Sequence, residues 1–346
     1  MTTNKRAAWS LVVLAPLAAE VSIGNLPLDQ LWIVLFFVPI YGAGALFIRE
    51  LVRRTGGGYP HLLIMGVGYG LIEEGLALQS LTSPHLYGAA EWAPRLLGVN
   101  TAYTELNLIY HAVFSVAVPV ALVEVVHGTR PFLRRGGLIT SGVVAVLGAL
   151  LVRVSVPPVA DPGYVMPRSA VIIVALVATA VFAVGLRGRF PTPRLVDPPR
   201  PLPAAGITAV AALGFLGMIW PFGGAEQPLF THGAWALLPM AGAALIVAAT
   251  VWTLGRWRWT RRHLVAACTG ALVGHTLFGL AENASTVPER AFLLAVLLVT
   301  VAGGALLGSG RGPLDAPVPA VPSPAPPGHR RDLTGSPLRP DPRHES

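Results

Sequence analysis

Charged residues are scarce in this sequence of 346 residues. Asp, Glu, Lys and Arg together make up 12% of the chain, about half of the ~25% that is typical of soluble globular domains. The chain is 53% hydrophobic, and its mean hydropathy is +0.62. A soluble surface of this size needs more charge than the chain carries, so the composition predicts a multi-pass membrane protein.

Cysteine and lysine are nearly absent, with one residue of each, Cys268 and Lys5. A single cysteine excludes an intramolecular disulfide and a multi-cysteine metal site. Arginine therefore carries almost all of the positive charge, and this bias, with abundant Ala, Gly, Val and Pro, is typical of a high-GC, actinobacterial genome. The arginines flank apolar segments and form no patch in the sequence, so we expect no nucleic-acid partner.

Several catalytic signatures are also missing. The sequence has no HExxH zinc helix, no GxSxG nucleophile elbow, no Walker A phosphate loop and no GxGxxG turn after a strand. Chemistry in this chain must therefore come from polar residues inside the apolar runs.

Ten apolar runs, separated by polar or Pro- and Gly-rich breaks, predict ten transmembrane helices. Most of the runs reach the ~17–25 residues that cross a hydrocarbon core. The expected fold class is therefore all-α, a polytopic transmembrane helix bundle of about ten helices. The runs lie near 8–24, 31–49, 60–82, 105–127, 137–153, 168–186, 204–221, 232–254, 263–283 and 290–308.

Loop charges indicate how these helices are oriented. Outside the C-terminal segment, sixteen Lys and Arg residues fall on one side of the alternating loops and four on the other. Positive charge collects in the cytoplasm, so we expect both termini there and the protein in a bacterial cell (inner) membrane. The four exceptions are Arg95, Arg153, Arg168 and Arg290.

The two ends of the chain need separate interpretation. The first run follows basic residues as a signal peptide does, but Leu17 occupies the −3 position of the small-residue site, which favours a retained helix. The Pro-rich segment 309–346 cannot bury enough surface to order itself, so we expect a disordered cytoplasmic tail. The pair Arg49–Glu50 and the boundary residue Glu124 are interpreted as features of helix ends.

Two adjacent glutamates, Glu73 and Glu74, interrupt the third run in "GYGLIEEGLALQSL". One charged side chain at a helix centre costs about 2.5–3.5 kcal/mol, so neighbouring carboxylates in this medium are expected not to ionise together. A pair that shares a proton suits general acid–base catalysis or proton transport. Gly66 and Gly70 let a neighbouring helix approach the same side, so the glutamates should face protein, with Gln79 extending the polar character outward.

Three other runs contain polar side chains at a comparable depth. Counting 1.5 Å per residue from the expected outer ends puts the carboxylates and imidazoles roughly 6–15 Å deep. We therefore predict one Glu/His site in the outer half of the bilayer, although a carboxylate at the end of the first run could simply reach the headgroups. The additional residues are Asn107, His111 and Ser115 in the fourth run, His275 and Asn283 in the ninth, and Glu20 in the first.

The glutamate pair, followed about forty residues later by a helical histidine, resembles the CPBP family of intramembrane proteases, which includes the CAAX-processing endopeptidases. The family pattern is EExxxR, then FxxxH, then HxxxN. The resemblance implies that Glu73 activates a water molecule beside Glu74. It also implies that His111 and His275 position this water and stabilise the oxyanion.

The resemblance covers about a quarter of the chain, and the sequence departs from the family pattern at three positions. Leu78 stands where the first motif has arginine, Asn107 where the second has phenylalanine, and Gly279 where the third has asparagine. These departures affect the first motif's cation and the third motif's amide.

Alternatives to a hydrolase remain open on the sequence alone, and so does the question of whether the protein is an enzyme. The same residues could form the proton or cation site of a membrane transporter. His111 and His275 could instead be ligands of a metal ion or haem, although no cofactor is specified by the sequence. A structural membrane protein would need none of this chemistry. For an enzyme, we expect a membrane-embedded peptide or small-molecule substrate, and the lipid bilayer is the remaining partner.

Overall fold

The computed structural model describes residues 4–86, 94–188, 204–223, 233–256 and 259–310. Within these ranges the chain forms ten helical segments and an antiparallel pair of short strands, β1 (Arg95–Leu96) and β2 (Val99–Asn100). The prediction of an all-α bundle of about ten helices is confirmed. The segments, α1 to α10, are 5–21, Leu28–Arg54, 59–77, Thr101–His127, Arg135–Ala160, Arg168–Arg187, Ala204–Gly223, 233–256, Arg261–Asn283 and Val287–Ser309.

Each predicted run overlaps one helix. The difference between predicted and observed bounds that matters most for the site lies at the end of α3. The predicted run 60–82 is too long, because the helix ends at Ala77. Gln79 then adopts a left-handed backbone with φ 60°, and its carbonyl accepts the next backbone N–H bonds. The apolar pattern hides this turn, since Leu81 beyond it is also buried. The predicted tail, apart from residues 309 and 310, lies outside the described residues.

Six of the described helices are long and apolar enough to cross a membrane, namely α2, α4, α5, α6, α9 and α10. Helices α7 and α8 contain shorter apolar stretches, Ala204–Ile219 and Leu237–Thr250. The remaining two are α1, which spans residues 5–21, and α3, whose hydropathy is lowered by a histidine and two glutamates. These lengths and compositions fit a multi-pass membrane protein.

Several of the most apolar helices are also the most exposed, which is the reverse of a soluble protein. Only 6% of the apolar window of α10 is buried, against 72% for α4. Large apolar side chains such as Leu147, Ile172 and Leu298 are 58%, 59% and 70% exposed. Apolar surface of this extent is stable in a bilayer and would aggregate in water. Helix α4 is therefore an inner helix whose polar side chains are shielded from lipid.

Two glycines bring backbones together near the polar side chains. A methyl group on Gly66 of α3 would lie 2.6 Å from the Ala112 Cα atom in α4. A methyl group on Gly279 of α9 would lie 2.0 Å from the carbonyl oxygen of Ile23, just after α1. Both distances are too short for any side chain, so only glycine permits these helix contacts.

Five of the helices in the described ranges contain a π-helical turn, in which a backbone N–H bonds to the carbonyl five residues earlier. The Leu78 N–H donates to Glu73 O at 2.8 Å, and the Ala284 N–H donates to Gly279 O at 2.9 Å. Such turns accommodate one extra residue and occur frequently at functional sites. They lie at Leu17–Val21 in α1, Val38–Ala43 in α2, Leu71–Ala77 in α3, His111–Ala117 in α4 and Gly279–Asn283 in α9.

Candidate functional site

The centre of the candidate site is the imidazole of His111, which lies against both glutamates of α3. His111 Nε2 is 3.0 Å from Glu74 Oε1, and His111 Nδ1 is 3.3 Å from Glu73 Oε2. All three side chains are almost fully buried, with exposures of 2% to 7%. The π-helical turns of α3 and α4 carry these residues, and the close approach at Gly66 lets the ring reach the two carboxylates.

Glu74 is held through both of its carboxylate oxygens. Besides the contact of Oε1 with His111, Oε2 accepts hydrogen bonds from the Ser80 hydroxyl and, at 3.3 Å, from the Tyr103 hydroxyl. Ser80 also reaches the Glu74 carbonyl at 3.0 Å. The left-handed backbone at Gln79 turns the chain back so that Ser80 can make these contacts. Glu74 therefore has a fixed position in the bundle.

Glu73 has no such set of partners. Its Oε2 atom is buried and meets no hydrogen-bond geometry with any atom of the described residues. The reason lies in His111 Nδ1, which can make only one strong hydrogen bond and lies 2.9 Å from the Ser115 hydroxyl. The hydroxyls of Tyr41 and Tyr69 lie near the Glu73 carboxylate, but the Tyr69 hydroxyl is itself without a well-oriented partner. A buried oxygen of this kind is available to bind water or substrate.

Glu20 at the end of α1 points into the protein and does not reach toward headgroups. Its side chain is buried, with Oε1 accepting from the Tyr41 hydroxyl at 2.5 Å and Oε2 accepting from the Asn25 amide at 3.1 Å. The Tyr41 ring lies 6.2 Å from the His111 ring. Glu20 thus joins the same polar cluster through Tyr41.

His275 of α9 lies in a separate aromatic cage. Its ring stacks on Phe114 at 4.0 Å and contacts Phe215 at 5.3 Å, and it is fully buried. The Nδ1 atom is 2.6 Å from the Ser22 hydroxyl, whereas Nε2 has no partner among the described residues. The Tyr110 ring contacts His275 at 5.3 Å and also contacts His111 at 5.4 Å. The two histidines are therefore linked through an aromatic ring and do not share the carboxylates.

The other predicted polar residues bind backbone groups around the site. Asn107 donates to the carbonyl of residue 103 in its own helix at 3.0 Å, and Gln79 accepts from the Met166 N–H at 2.6 Å. Asn283 donates to the carbonyl of residue 23 at 2.9 Å. Of these, Gln79 bears most directly on the carboxylates, because it fixes the turn that carries Ser80.

The tyrosines are the part of the site that sequence reasoning missed. Tyr41, Tyr69, Tyr103 and Tyr110 are all buried around the carboxylates and imidazoles. Tyrosine in a membrane protein is usually assigned to the interfacial belts. The signal available in the sequence was position: Tyr41 and Tyr69 fall inside apolar runs, where a hydroxyl needs a polar partner.

The described residues do not support the metal alternative. No group of three or more His, Cys, Asp or Glu side chains in the described ranges is arranged to hold a metal ion. The imidazoles of His111 and His275 are each already bonded to a serine hydroxyl at Nδ1. Only the His275 Nε2 atom would be open to a ligand, and one nitrogen does not make a metal site.

A second buried cluster of charges lies near the C-terminal ends of α2 and α4, away from the candidate site. Arg49 donates to Glu50 at 2.6 Å and to Glu124 at 2.9 Å, and all three side chains are fully buried. Arg53 donates to Glu124 at 2.6 Å and 2.8 Å, and Arg54 lies 3.3 Å from Glu50. These residues, interpreted from the sequence as features of helix ends, form an ion network that ties α2 to α4.

A serine, a histidine and an aspartate also meet where α5 ends. The Ser83 hydroxyl donates to Asp161 Oδ2, and His85 Nδ1 is 3.2 Å from Asp161 Oδ1. The hydroxyl proton goes directly to the carboxylate, and the Ser83 oxygen accepts backbone N–H groups. This arrangement fastens the turn after α3 to the end of α5 and does not activate a nucleophile.

Fold and site together define a class: a multi-pass α-helical membrane protein with a buried cluster of glutamate, histidine and tyrosine side chains. Within that class, the chain belongs to the family described as "Uncharacterized membrane protein family", whose model matches residues 10–307. No curated protein and no solved structure matches the chain. The matched range includes nearly all of the ten helices, whereas the resemblance to CPBP proteases stays a prediction.

Proposed function

We propose that this protein is an intramembrane peptide hydrolase in which Glu73 is the general base. The observation that carries the proposal is that the two glutamates differ in their hydrogen bonding. Glu74 is held by His111, Ser80 and Tyr103, whereas Glu73 Oε2 is buried without a hydrogen-bond partner in the described residues. A general base needs a lone pair that no protein donor occupies. The lone pairs of a positioning carboxylate are instead engaged by its neighbours.

The proposed reaction is a hydrolysis with water as the nucleophile. Glu73 takes one proton from water while the water oxygen bonds to the substrate carbonyl carbon, giving a tetrahedral oxyanion. Collapse of this intermediate breaks the C–N bond, and the proton held by Glu73 passes to the leaving nitrogen. His111, held by Glu74 and Ser115, lies 3.3 Å from Glu73 Oε2 and acts as a positioning group for the base. No step is assigned to His275, because its ring is caged with Phe114 and bonded to Ser22.

A one-sided polar site favours hydrolysis over transport by the same residues. The carboxylates and His111 lie toward the end of the bundle where α1 and α3 end and α4 begins. Between the site and the buried ion network of Arg49, Glu50 and Glu124 at the other end, the same three helices are filled by buried apolar side chains such as Leu11, Leu62 and Val120. A proton- or cation-coupled transporter needs polar access from both faces, and these apolar layers offer none.

The proposal is tested by mapping new peptide N-termini in membranes. Cells producing wild-type protein, Glu73→Gln or Glu282→Gln are compared, because Glu282 is exposed at the end of α9 and provides a matched control. We expect a set of N-termini within transmembrane segments that is present with wild type and Glu282→Gln and absent with Glu73→Gln. An identical set with Glu73→Gln, or no new N-termini in any sample, would overturn the proposal.

A further inference from the structure

A chain of polar side chains runs from the exposed end of α9 to the buried carboxylates. Asn283 donates to Asn25 Oδ1 at 3.3 Å, and Asn25, which is exposed, donates to Glu20 Oε2 at 3.1 Å. The first contact joins α9 to the turn after α1, and the second joins that turn to Glu20 five residues earlier. They place one oxygen of the buried Glu20 carboxylate next to groups that contact solvent.

Tyr41 continues this chain inward from Glu20. Its hydroxyl donates to Glu20 Oε1 at 2.5 Å, and the side chain is only 4% exposed. The Tyr41 ring lies 6.2 Å from the His111 ring and 6.0 Å from the Tyr69 ring, in the layer that surrounds Glu73. The same hydroxyl lies near the Glu73 carboxylate. A phenol between two carboxylates can accept a proton from one and donate its own to the other.

The backbone supports this alignment at each step. Glu20, Tyr41 and Glu73 come from three helices, and each lies in a π-helical turn. A π-helical turn shifts the following side chains around the helix relative to an α-helix of the same sequence. Because Glu20, Tyr41 and Glu73 each lie in such a turn, the same kind of local helix geometry directs all three side chains toward one another.

We propose that Asn25, Glu20 and Tyr41 form the path by which Glu73 exchanges protons with water. Protonated Glu73 donates its proton to the Tyr41 oxygen while the Tyr41 O–H proton passes to Glu20. Glu20 then releases a proton to water beside Asn25, so every O–H bond broken is matched by one formed. The path rests on the proposed function only in taking Glu73 as the reacting carboxylate, and Tyr41 and Glu20 are positioning and transfer groups that do not touch the substrate.

The path is tested by infrared spectroscopy of the purified protein, without any substrate. The pH is lowered until the carboxylic acid band that is lost in Glu73→Gln is present, and the sample is then transferred to D₂O. We expect Tyr41→Phe and Glu20→Gln to slow the isotope exchange of this band by about tenfold, the kinetic equivalent of losing one hydrogen-bonded step. Tyr69→Phe is the matched control, because the Tyr69 hydroxyl also lies near Glu73 but makes no hydrogen bond to Glu20, so its exchange should match wild type.

The outcomes separate this inference from the proposed function. Exchange in Tyr41→Phe and Glu20→Gln at the wild-type rate would overturn the path, whatever the hydrolysis experiment shows. Slowing in Tyr69→Phe equal to that in Tyr41→Phe would also overturn it, because a general loosening of the aromatic layer would then be the cause. Slow exchange confined to Tyr41→Phe and Glu20→Gln supports the path even if the new N-termini are not found.

Discussion

At the scale of single residues, the neighbouring Glu73 and Glu74 differ in how far their buried carboxylate oxygens are hydrogen-bonded. Glu74 satisfies three donors or ring nitrogens, and Glu73 leaves an oxygen unpaired. Burying a carboxylate in a bilayer costs about 2.5–3.5 kcal/mol before any partner is counted. Glu74 offsets part of this free energy through bonds to both of its oxygens, whereas the buried Oε2 atom of Glu73 makes no hydrogen bond within the described residues. The unpaired group is therefore retained for a reason other than stability.

This inequality predicts opposite effects of the same substitution at adjacent positions. Glu74→Met should lower the free energy of unfolding by about 1–3 kcal/mol, because Ser80, Tyr103 and His111 would lose a buried acceptor. Glu73→Met should leave stability unchanged or raise it, since it removes a buried carboxylate with no full partner. Thermal or chemical unfolding of the two variants in one detergent measures both. Equal destabilisation would show that Glu73 is also a structural acceptor.

At the scale of elements, the π-helical turns decide which side chains meet. An extra residue in a turn leaves the apolar pattern along the helix nearly unchanged while rotating the polar residues that follow. In α3 the turn at Leu71–Ala77 brings both glutamates to His111, and in α4 the turn at His111–Ala117 places Ser115 under the same ring. The site thus depends on local helix geometry as much as on residue type.

The end of α3 offers a prediction about backbone strain. Gln79 has a φ of 60°, which costs a residue with a side chain about 1–2 kcal/mol relative to glycine. Both Gln79→Ala and Gln79→Gly lose the bond to the Met166 N–H, but only glycine also removes the strain. We therefore expect Gln79→Gly to be more stable than Gln79→Ala by about 1 kcal/mol in unfolding measurements.

Comparing Gln79→Ala with Gln79→Gly isolates the free-energy cost of the left-handed backbone, because both variants lose the same side-chain hydrogen bond. Gln79→Ala as stable as Gln79→Gly would mean that the left-handed turn relaxes on substitution. In that case the position of Ser80 against Glu74 would not depend on this turn.

At the scale of the whole molecule, buried charge joins elements at the end of the bundle remote from the candidate site. Arg49 bonds to Glu50, Glu124 and the carbonyl oxygens of residues 128 and 130, and its guanidinium lies 3.4 Å above the Phe132 ring. Glu50 in turn accepts the backbone N–H groups of residues 132 and 133. Helices α2 and α4 and the segment before α5 are thereby connected through one guanidinium.

Removal of this guanidinium should destabilise the protein strongly. Arg49→Met leaves the buried Glu124 with Arg53 and the buried Glu50 with Arg54, and it removes the donor from two backbone carbonyls, so the free energy of unfolding should fall by about 3–5 kcal/mol. The exposed Arg135 provides the matched control, and Arg135→Met should change stability by less than about 0.5 kcal/mol. Denaturant titrations of both variants in detergent test the comparison. A small effect of Arg49→Met would mean that Arg53 and Arg54 compensate for its loss.

The sequence by itself determined that this protein lies in a membrane and which of its segments form helices. Scarce charge and ten apolar runs predict an all-α membrane bundle, and the described residues form ten helical segments at those places. Hydropathy and helix length are local properties that each run carries alone, so no tertiary contact is needed to recognise them. The meeting of Glu73 and Glu74 with His111 was also within reach, because all three stand at comparable depth in neighbouring runs.

Only the tertiary structure decided which polar side chains share a site. His275, predicted beside the carboxylates, lies against Phe114 and Ser22, while Glu20 and Tyr41 complete the cluster near Glu73. Depth along a helix follows from counting residues, but the direction in which a side chain points depends on helix rotation and packing. Glycine contacts and π-helical turns set that rotation, and the apolar pattern of the sequence does not record them.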